Sequence, residues 1–249
     1  MTLELRVFDD AAALAHDVAE SFRDYAQHWL NAHDGDFHVA LTGGRTGGST
    51  LAEIRSLCAG SLDWSRVQVW WGDERWLPAA DAERNEVQAD EALLRWISIP
   101  AANVHRCASS DSGLTLDEAA AAYAAELAKH AAESASAPEF ALVFLGMGPD
   151  GHIASLFPEH PALEARIGST VVAVRNSPKP PAERLSLTMS TINAAAQVWV
   201  MLSGADKAEA LQRALEGDSA AHTPASALGA AEATLFFVDE AAARNVLND

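Results

Sequence analysis

The sequence has very little cysteine and very little lysine. Two Cys occur in 249 residues, Cys58 and Cys107, with neither a CxxC spacing nor a His at metal-ligand spacing. That excludes a disulfide framework and a paired-Cys metal site, and both read as small buried hydrophobes in a reducing compartment. Lysine stands only at Lys129, Lys179 and Lys207, and the formal net charge is −18. Such an excess of acid repels nucleic acid and anionic membranes, so neither is expected as a partner. A small anionic ligand is still admissible, because a pocket needs only a few convergent cations. No apolar run approaches the ~18 residues of a membrane span. The opening Met1–Arg6 alternates polar and apolar residues where a signal peptide would be basic and then apolar, so a cytoplasmic protein is expected. The nine His are scattered and HExxH is absent, so no metal is expected. GxSxG is absent too, which argues against a serine-hydrolase triad.

What is present is a globular composition, 49 % hydrophobic with seven Trp along the chain, and an alternation of two patterns. Continuous apolar runs at Phe37–Thr42, Val67–Trp71, Phe140–Leu145, Val198–Leu202 and Leu235–Val238, with the short alternating Leu3–Phe8, read as strands. Between them lie stretches with helical spacing. Leu14, Val18, Phe22, Tyr25 and Trp29 follow a capping Asp9 or Asp10. Leu51, Ile54 and Leu57 mark a helix starting near Gly48 or Ser49. Further helices are expected over Asn85–Ile97, over the Ala-rich Leu116–Ala132, and after Gly204 to about Leu215. Apolar strands alternating with amphipathic helices predict an α/β fold: a mostly parallel, doubly wound sheet with helices on both faces. With no repeat and no long linker, residues 1–249 are expected to form one domain.

In such a sheet ligands bind beyond the carboxyl ends of the strands. The three most unusual stretches of the sequence all follow strand ends. Thr42–Thr50 (TGGRTGGST) joins a strand to a helix. Glycines at Gly43 and Gly44 allow close backbone approach, the helix start offers unpaired N–H groups, and Arg45 and Thr46 add donors, so a phosphate is expected there. The spacing is neither GxxxxGK nor GxGxxG. Gly72–Arg75 (GDER) sets Arg75 as an anion ligand, with Asp73 or Glu74 expected to hold its guanidinium. Asp81 and the Arg84-Asn85 pair are expected to line that loop or cap the next helix. Gly146–Pro158 (GMGPDGHIASLFP) forces a tight path that exposes Asp150 and His152. A His suits proton abstraction from water near neutral pH, and Asp150 is placed to fix its tautomer or meet a sugar hydroxyl. Arg184 and Lys207 are single cations in later loops. Lys207 stands at a helix start, where a bound anion would offset its unfavourable place on the dipole. Arg166, Arg175 and Lys179 have no comparable context.

Taken in order, Leu41–Gly44, Gly72–Arg75, Arg84-Asn85, Gly146–Pro158, Arg184 with Thr188, Gly204–Leu211 and Pro224–Leu228 resemble the 6-phosphogluconolactonase family over nearly the whole chain. The His152 run is shared with the wider superfamily of glucosamine-6-phosphate deaminases; the Ser155–Pro158 ending and the Asp73–Arg75 triplet favour the lactonase branch. The resemblance implies a NagB/RpiA-like fold and hydrolysis of 6-phospho-D-glucono-1,5-lactone without a cofactor, by a monomer or weak homodimer. It implies His152 as general base, assisted by Asp150 and Arg75, with Gly43, Gly44, Arg45, Thr46, Asp73, Arg184 and Lys207 binding the sugar phosphate. A deaminase is the alternative, but that family carries a Glu five residues after its His, where this chain has Phe157. Two departures stand out. The Gly43–Ser49 loop is longer than the GGxTP form of many relatives, and Ile153 stands where Thr is usual.

Overall fold

The computed structural model describes residues 2–166 and 168–247. In chain order the strands are β1 (Thr2–Phe8), β2 (Phe37–Leu41), β3 (Val67–Trp71), β4 (Asp73–Arg75), β5 (Phe140–Gly146), β6 (Val171–Val174), β7 (Arg184–Leu187), β8 (Gln197–Leu202) and β9 (Ala233–Asp239). The α-helices are α1 (Ala11–Ala32), α2 (Gly44–Cys58), α3 (Asn85–Ala92), α4 (Leu116–Lys129), α5 (Met189–Asn193), α6 (Ala208–Glu216) and α7 (Glu240–Ala243). The main sheet has six strands in the order β1-β9-β8-β5-β2-β3, and every pair in it is parallel. It is the doubly wound α/β sheet that the alternation of patterns predicts.

Both faces of the sheet are covered, which is why all its strands but the half-exposed edge strand β1 read as unbroken apolar runs. Val39, Leu41, Val69, Trp71, Phe144 and Trp199 pack toward α1, α2 and α3. Their neighbours Ala40, Trp70, Val143, Leu145 and Val200 pack toward α4, α5, α6 and α7. α1 begins where expected: the Asp10 carboxylate accepts the N–H groups of Ala12 and Ala13 at 2.9 Å. α3 is shorter than the periodicity suggests; it stops at Ala92 and a 3-10 turn over Leu94–Trp96 completes it. No helix among the described residues is long and apolar enough to cross a membrane.

A second sheet, antiparallel and ordered β4-β7-β6, is invisible to the strand pattern because its strands are only three or four residues long. It is welded to the main sheet where β3 runs into β4, through Leu187 N–H to the Gly72 carbonyl at 2.8 Å. This small sheet carries Asp73, Arg75 and Arg184 to the same edge as the main strands' carboxyl ends.

Glu74 lies inside the junction between β4 and α3, with Arg84 beside it; both side chains are fully buried. Sequence logic offers Glu74 to the guanidinium of Arg75, and the structure corrects this. Glu74 accepts three backbone N–H groups, those of Arg75 and Asn85 at 2.7 Å and of Glu86 at 2.9 Å. It thereby fixes the start of α3. Arg84 stands 3.8 Å away and donates to the Cys107 and Leu77 carbonyls and to Glu86. Burial pushes the Glu74 carboxyl up to about 7, against the pull of Arg84 and of the three N–H donors. Glu74→Ala removes one of the two carboxylates beside the buried Arg84 guanidinium, leaving it Glu86, and strips three backbone N–H groups of their acceptor. A loss of about 3–5 kcal/mol is therefore expected in urea unfolding at pH 8.

Candidate active site

The winding of the main sheet locates its crevice. The connection from β2 to β3 moves one way across the sheet, whereas β5, β8 and β9 follow one another the opposite way. The direction therefore reverses between β2 and β5, and ligands in open α/β sheets bind outside such a switch point. The segments that leave β2 and β5 are the Gly43–Thr46 stretch and the His152 turn. They face each other across a cavity of about 250 Å³, which Asp73, Arg75 and Arg184 also line. The three strand-end loops converge on it as their positions predict.

The first wall differs from expectation in one respect. α2 begins at Gly44, not near Gly48 or Ser49, so Arg45 and Thr46 belong to its first turn. Gly47 and Gly48 lower helix propensity, but close packing overrides it. A Cβ at Gly47 would come within 2.7 Å of the Thr42 carbonyl oxygen, so only glycine lets the helix pass that close to the strand end. The N-cap residue Gly43 has no side chain to cap the helix, and among the described residues only the Gly44 N–H meets a side chain, Gln88 Oε1 at 3.3 Å. The first turn and its positive dipole end line the cavity. Gly43 is equally constrained, since a Cβ there would overlap the Asn85 side chain. Lys207 reaches the same cavity from the turn before α6, paired with Asp206 at 3.1 Å.

The opposite wall is the His152 turn. Its backbone closes through Gly148 N–H to the His152 carbonyl at 2.9 Å and Gly151 N–H to the Gly148 carbonyl at 3.0 Å. Gly151 has φ +85°, and its missing side chain leaves room for Thr223. The Ala225 N–H bonds the Gly151 carbonyl at 3.0 Å, so the Pro224–Ala227 turn buttresses the loop from behind. Ala154, just beyond, also sits at positive φ (+46°), a conformation that costs a non-glycine residue of order 1 kcal/mol. These constraints bring the Asp150 carboxylate against the imidazole, with Oδ1 2.5 Å from Nδ1. A carboxylate only accepts, so Nδ1 carries a proton and, in the neutral ring, Nε2 is the nitrogen with the free lone pair; the side chain lines the cavity. The imidazole also packs on the buried Phe157 ring at 4.5 Å, and Arg184 covers the same ring at 5.5 Å.

Lys179, for which the sequence supplies no context, stands at the centre of the site. Its ammonium lies 3.1 Å from Asp150 Oδ1 and 3.1 Å from His152 Nδ1. Since Nδ1 already bears a hydrogen, the bond the ammonium donates is to Asp150. Burial opposes ionisation of Asp150, but the hydrogen bonds and charges of His152 and Lys179 outweigh it and hold this carboxyl well below the usual range. The one available clue was compositional: a rare lysine in the proline-stiffened run Ser177-Pro178-Lys179-Pro180-Pro181.

Arg184 explains how that loop is held. Its guanidinium donates to the carbonyls of Lys179, Pro180 and Pro181 at 3.1, 2.8 and 3.1 Å, so most of its donors serve the loop. Nη1 stands 4.0 Å from Asp73 beside the cavity. Asp73 in turn accepts from Ser155 Oγ at 2.6 Å and from Asn85 Nδ2 at 3.3 Å, which ties β4 to the His152 turn. The guanidinium of Arg75 is held by neither acid expected of it: it donates to the Glu83 carbonyl at 2.7 Å, with the Glu83 carboxylate 3.8 Å away. Arg166 and Arg175 are exposed and do not line the cavity.

This arrangement has known counterparts. The chain is 39 % identical over 248 residues to a 6-phosphogluconolactonase of Mycobacterium leprae, covering 99 % of each protein. It is 45 % identical to one of Streptomyces coelicolor, covering 85 % of this chain and 83 % of that one. Among solved structures it is similar to the 6-phosphogluconolactonase of Trypanosoma brucei, with a TM-score of 0.85 at 26 % identity over 98 % of this chain and 99 % of that one. A monomeric glucosamine-6-phosphate deaminase, at 20 % identity and TM-score 0.79 over 98 % and 99 % of the two chains, shares the fold. The profile described as glucosamine-6-phosphate isomerases/6-phosphogluconolactonase matches residues 9–237, and with a match of that extent the chain belongs to this family.

Proposed function

We propose that this chain hydrolyses 6-phospho-D-glucono-1,5-lactone to 6-phospho-D-gluconate, the second step of the oxidative pentose phosphate pathway, with water activated by His152. The observation that carries the proposal is the Asp150–His152–Lys179 contact. It leaves one unprotonated imidazole nitrogen at the edge of a cavity rich in cations. The 6-phosphogluconolactonase names of relatives that cover nearly all of the chain point to the same substrate.

In the proposed reaction a water molecule attacks the lactone carbonyl carbon and gives its proton to His152 Nε2. The carbonyl oxygen becomes an oxyanion, and the C–O bond to the ring oxygen then breaks. The ring oxygen takes the proton back from the imidazolium and leaves as a hydroxyl, and the product acid ionises. Asp150 stabilises the imidazolium through Nδ1–H without taking its proton, and Lys179 keeps Asp150 ionised. General-base help of this kind is worth about 10²–10⁴ in rate. A lactone is already an activated ester, so no side-chain nucleophile is required.

The phosphate is assigned to the wall built from Gly43, Gly44, Arg45 and Thr46 at the start of α2, together with Lys207. Arg75 and Arg184, on the small sheet, are assigned to orienting the lactone and its developing charge. Asp73 fixes that sheet against the His152 turn and offers an acceptor to a sugar hydroxyl. All of these side chains come from one copy of the chain, acting as one domain over residues 1–249. The position five residues after His152 is the buried, uncharged Phe157, which supports lactone hydrolysis over deamination.

The direct test adds freshly generated 6-phosphogluconolactone and follows proton release above the spontaneous rate. Turnover is expected, with no ammonia from glucosamine 6-phosphate; the reverse result would select the deaminase. Lys179→Met is expected to lower kcat/KM by about 10–100-fold, the worth of a charged hydrogen bond. Arg75→Ala and Lys207→Ala are expected chiefly to raise KM. In Gly148→Ala the added Cβ would overlap the His152 imidazole and the Asp150 carboxylate. A fall in kcat of about a hundredfold is expected there from misplaced geometry, with the fold retained by circular dichroism.

A further inference from the structure

A second group of titratable side chains lies away from the cavity, beside the amino-terminal ends of β2 and β3. His105 is buried and stacks on the Trp70 indole at 3.8 Å between ring centres. Its Nε2 is 2.8 Å from Gln68 Oε1. The Gln68 amide cannot be turned round, because its Nε2 donates to the Asp36 carboxylate at 2.8 Å. His105 Nε2 must therefore be the protonated nitrogen, which leaves Nδ1 as a lone pair whenever the ring is neutral. That lone pair faces Glu126 Oε1 at 3.3 Å.

Two acceptors so placed need a proton or a metal cation between them. His130 brings a third donor atom, Nε2, 3.7 Å from the same Glu126 oxygen. The ligand atoms of all three side chains lie within 4.8 Å of one another. Two ligands at about 2.05 Å from a tetrahedral Zn²⁺ are themselves about 3.3 Å apart. His105 and Glu126 already stand at that separation, His130 Nε2 stands 3.7 Å from the Glu126 oxygen, and small side-chain rotations would close the set.

We infer that His105 Nδ1, Glu126 Oε1 and His130 Nε2 form a binding site for a divalent transition-metal ion, Zn²⁺ by the chemistry of its donors, separate from the catalytic cavity. Two imidazole nitrogens and a carboxylate oxygen make a three-protein-ligand set that solvent completes as the fourth. His130 and Glu126 are each about one-third exposed (31 % and 34 %), which gives the ion an entry path. The surrounding groups are those that orient metal ligands: Gln68 accepts the second ring N–H of His105, and Lys129 occupies the other Glu126 oxygen at 2.7 Å. An ion there would tie the end of α4 to the segment beside β3. The sequence conceals the site, because His105 is far from Glu126 and His130 in the chain and the pair itself is an unremarked E-x₃-H at a helix end.

The test is calorimetric titration of chelator-treated protein with ZnCl₂, run on the full-length chain and on His152→Ala so that any ion taken by the active-site imidazole is subtracted. One saturable equivalent is expected in His152→Ala, with Tm rising by about 5–10 °C at a hundredfold excess over Kd. Co²⁺ in place of Zn²⁺ is expected to give the visible absorption of a four-coordinate ion. Glu126→Gln and His130→Ala, both at partly exposed positions, are each expected to raise Kd at least about tenfold while keeping the circular dichroism of the parent. Absence of saturable binding in His152→Ala would overturn the inference. So would an affinity and Tm shift that persist in both Glu126→Gln and His130→Ala.

Discussion

The hydrogen bond between His152 Nδ1 and Asp150 Oδ1 is the contact that organises the catalytic end of this molecule. Asp150 and His152 are only two residues apart; a helix would point them to different sides, and a strand would set them on one face but hold their Cα atoms about 6–7 Å apart. They meet because the chain turns sharply after β5. Gly148 has no Cβ to fill the space the imidazole occupies, and Gly151 holds a left-handed φ against Thr223. The buttress from Ala225 and the link from Ser155 to Asp73 keep that turn in place. Lys179 completes it, and its own loop is held by the Arg184 guanidinium. One imidazole thus depends on elements from four separate parts of the chain, which is how a reactive nitrogen is fixed without a rigid secondary-structure element beneath it.

The charge distribution follows a similar logic. A chain of net charge −18 collects Arg45, Arg75, Lys179, Arg184 and Lys207 around one cavity. The acids near that cavity are already engaged: Asp150 with His152 and Lys179, Asp73 with Ser155 and Asn85, Asp206 with Lys207. The excess negative charge lies elsewhere, where it keeps the surface solvated. Long-range repulsion of an anionic sugar phosphate is then overcome only close to the site, where the cations converge and the α2 dipole adds to them.

Much of this was legible in the sequence, for physical reasons that also explain what was not. Strands buried on both faces must be apolar throughout, so five of the six parallel strands were visible as apolar runs, the edge strand β1 showing by alternation instead, and with them the edge where a site belongs. The turn at His152 was legible because glycine and proline announce a strained path. The small antiparallel sheet was not, since three- and four-residue strands have too short a period to register. The apolar periodicity of α2 begins only at Leu51, so it does not mark the first turn, where Gly47 is present for its close approach to Thr42. The sequence offers Asp73 or Glu74 to Arg75, but Asp73 is taken by Ser155 and Asn85, and strand geometry sends the adjacent Glu74 to the opposite side. Glu74 accordingly turns inward to Arg84 and the start of α3. Lys179 and the His105–Glu126–His130 group were hidden because tertiary folding alone brings them to their partners.

The measurement that bears most directly on the account is the steady-state kcat of His152→Ala with 6-phosphogluconolactone, set beside its affinity for 6-phosphogluconate. If His152 removes the proton of the attacking water, kcat falls by about 10²–10⁴ while product affinity stays near that of the parent chain. A His152→Ala variant that keeps the parent kcat would contradict the account.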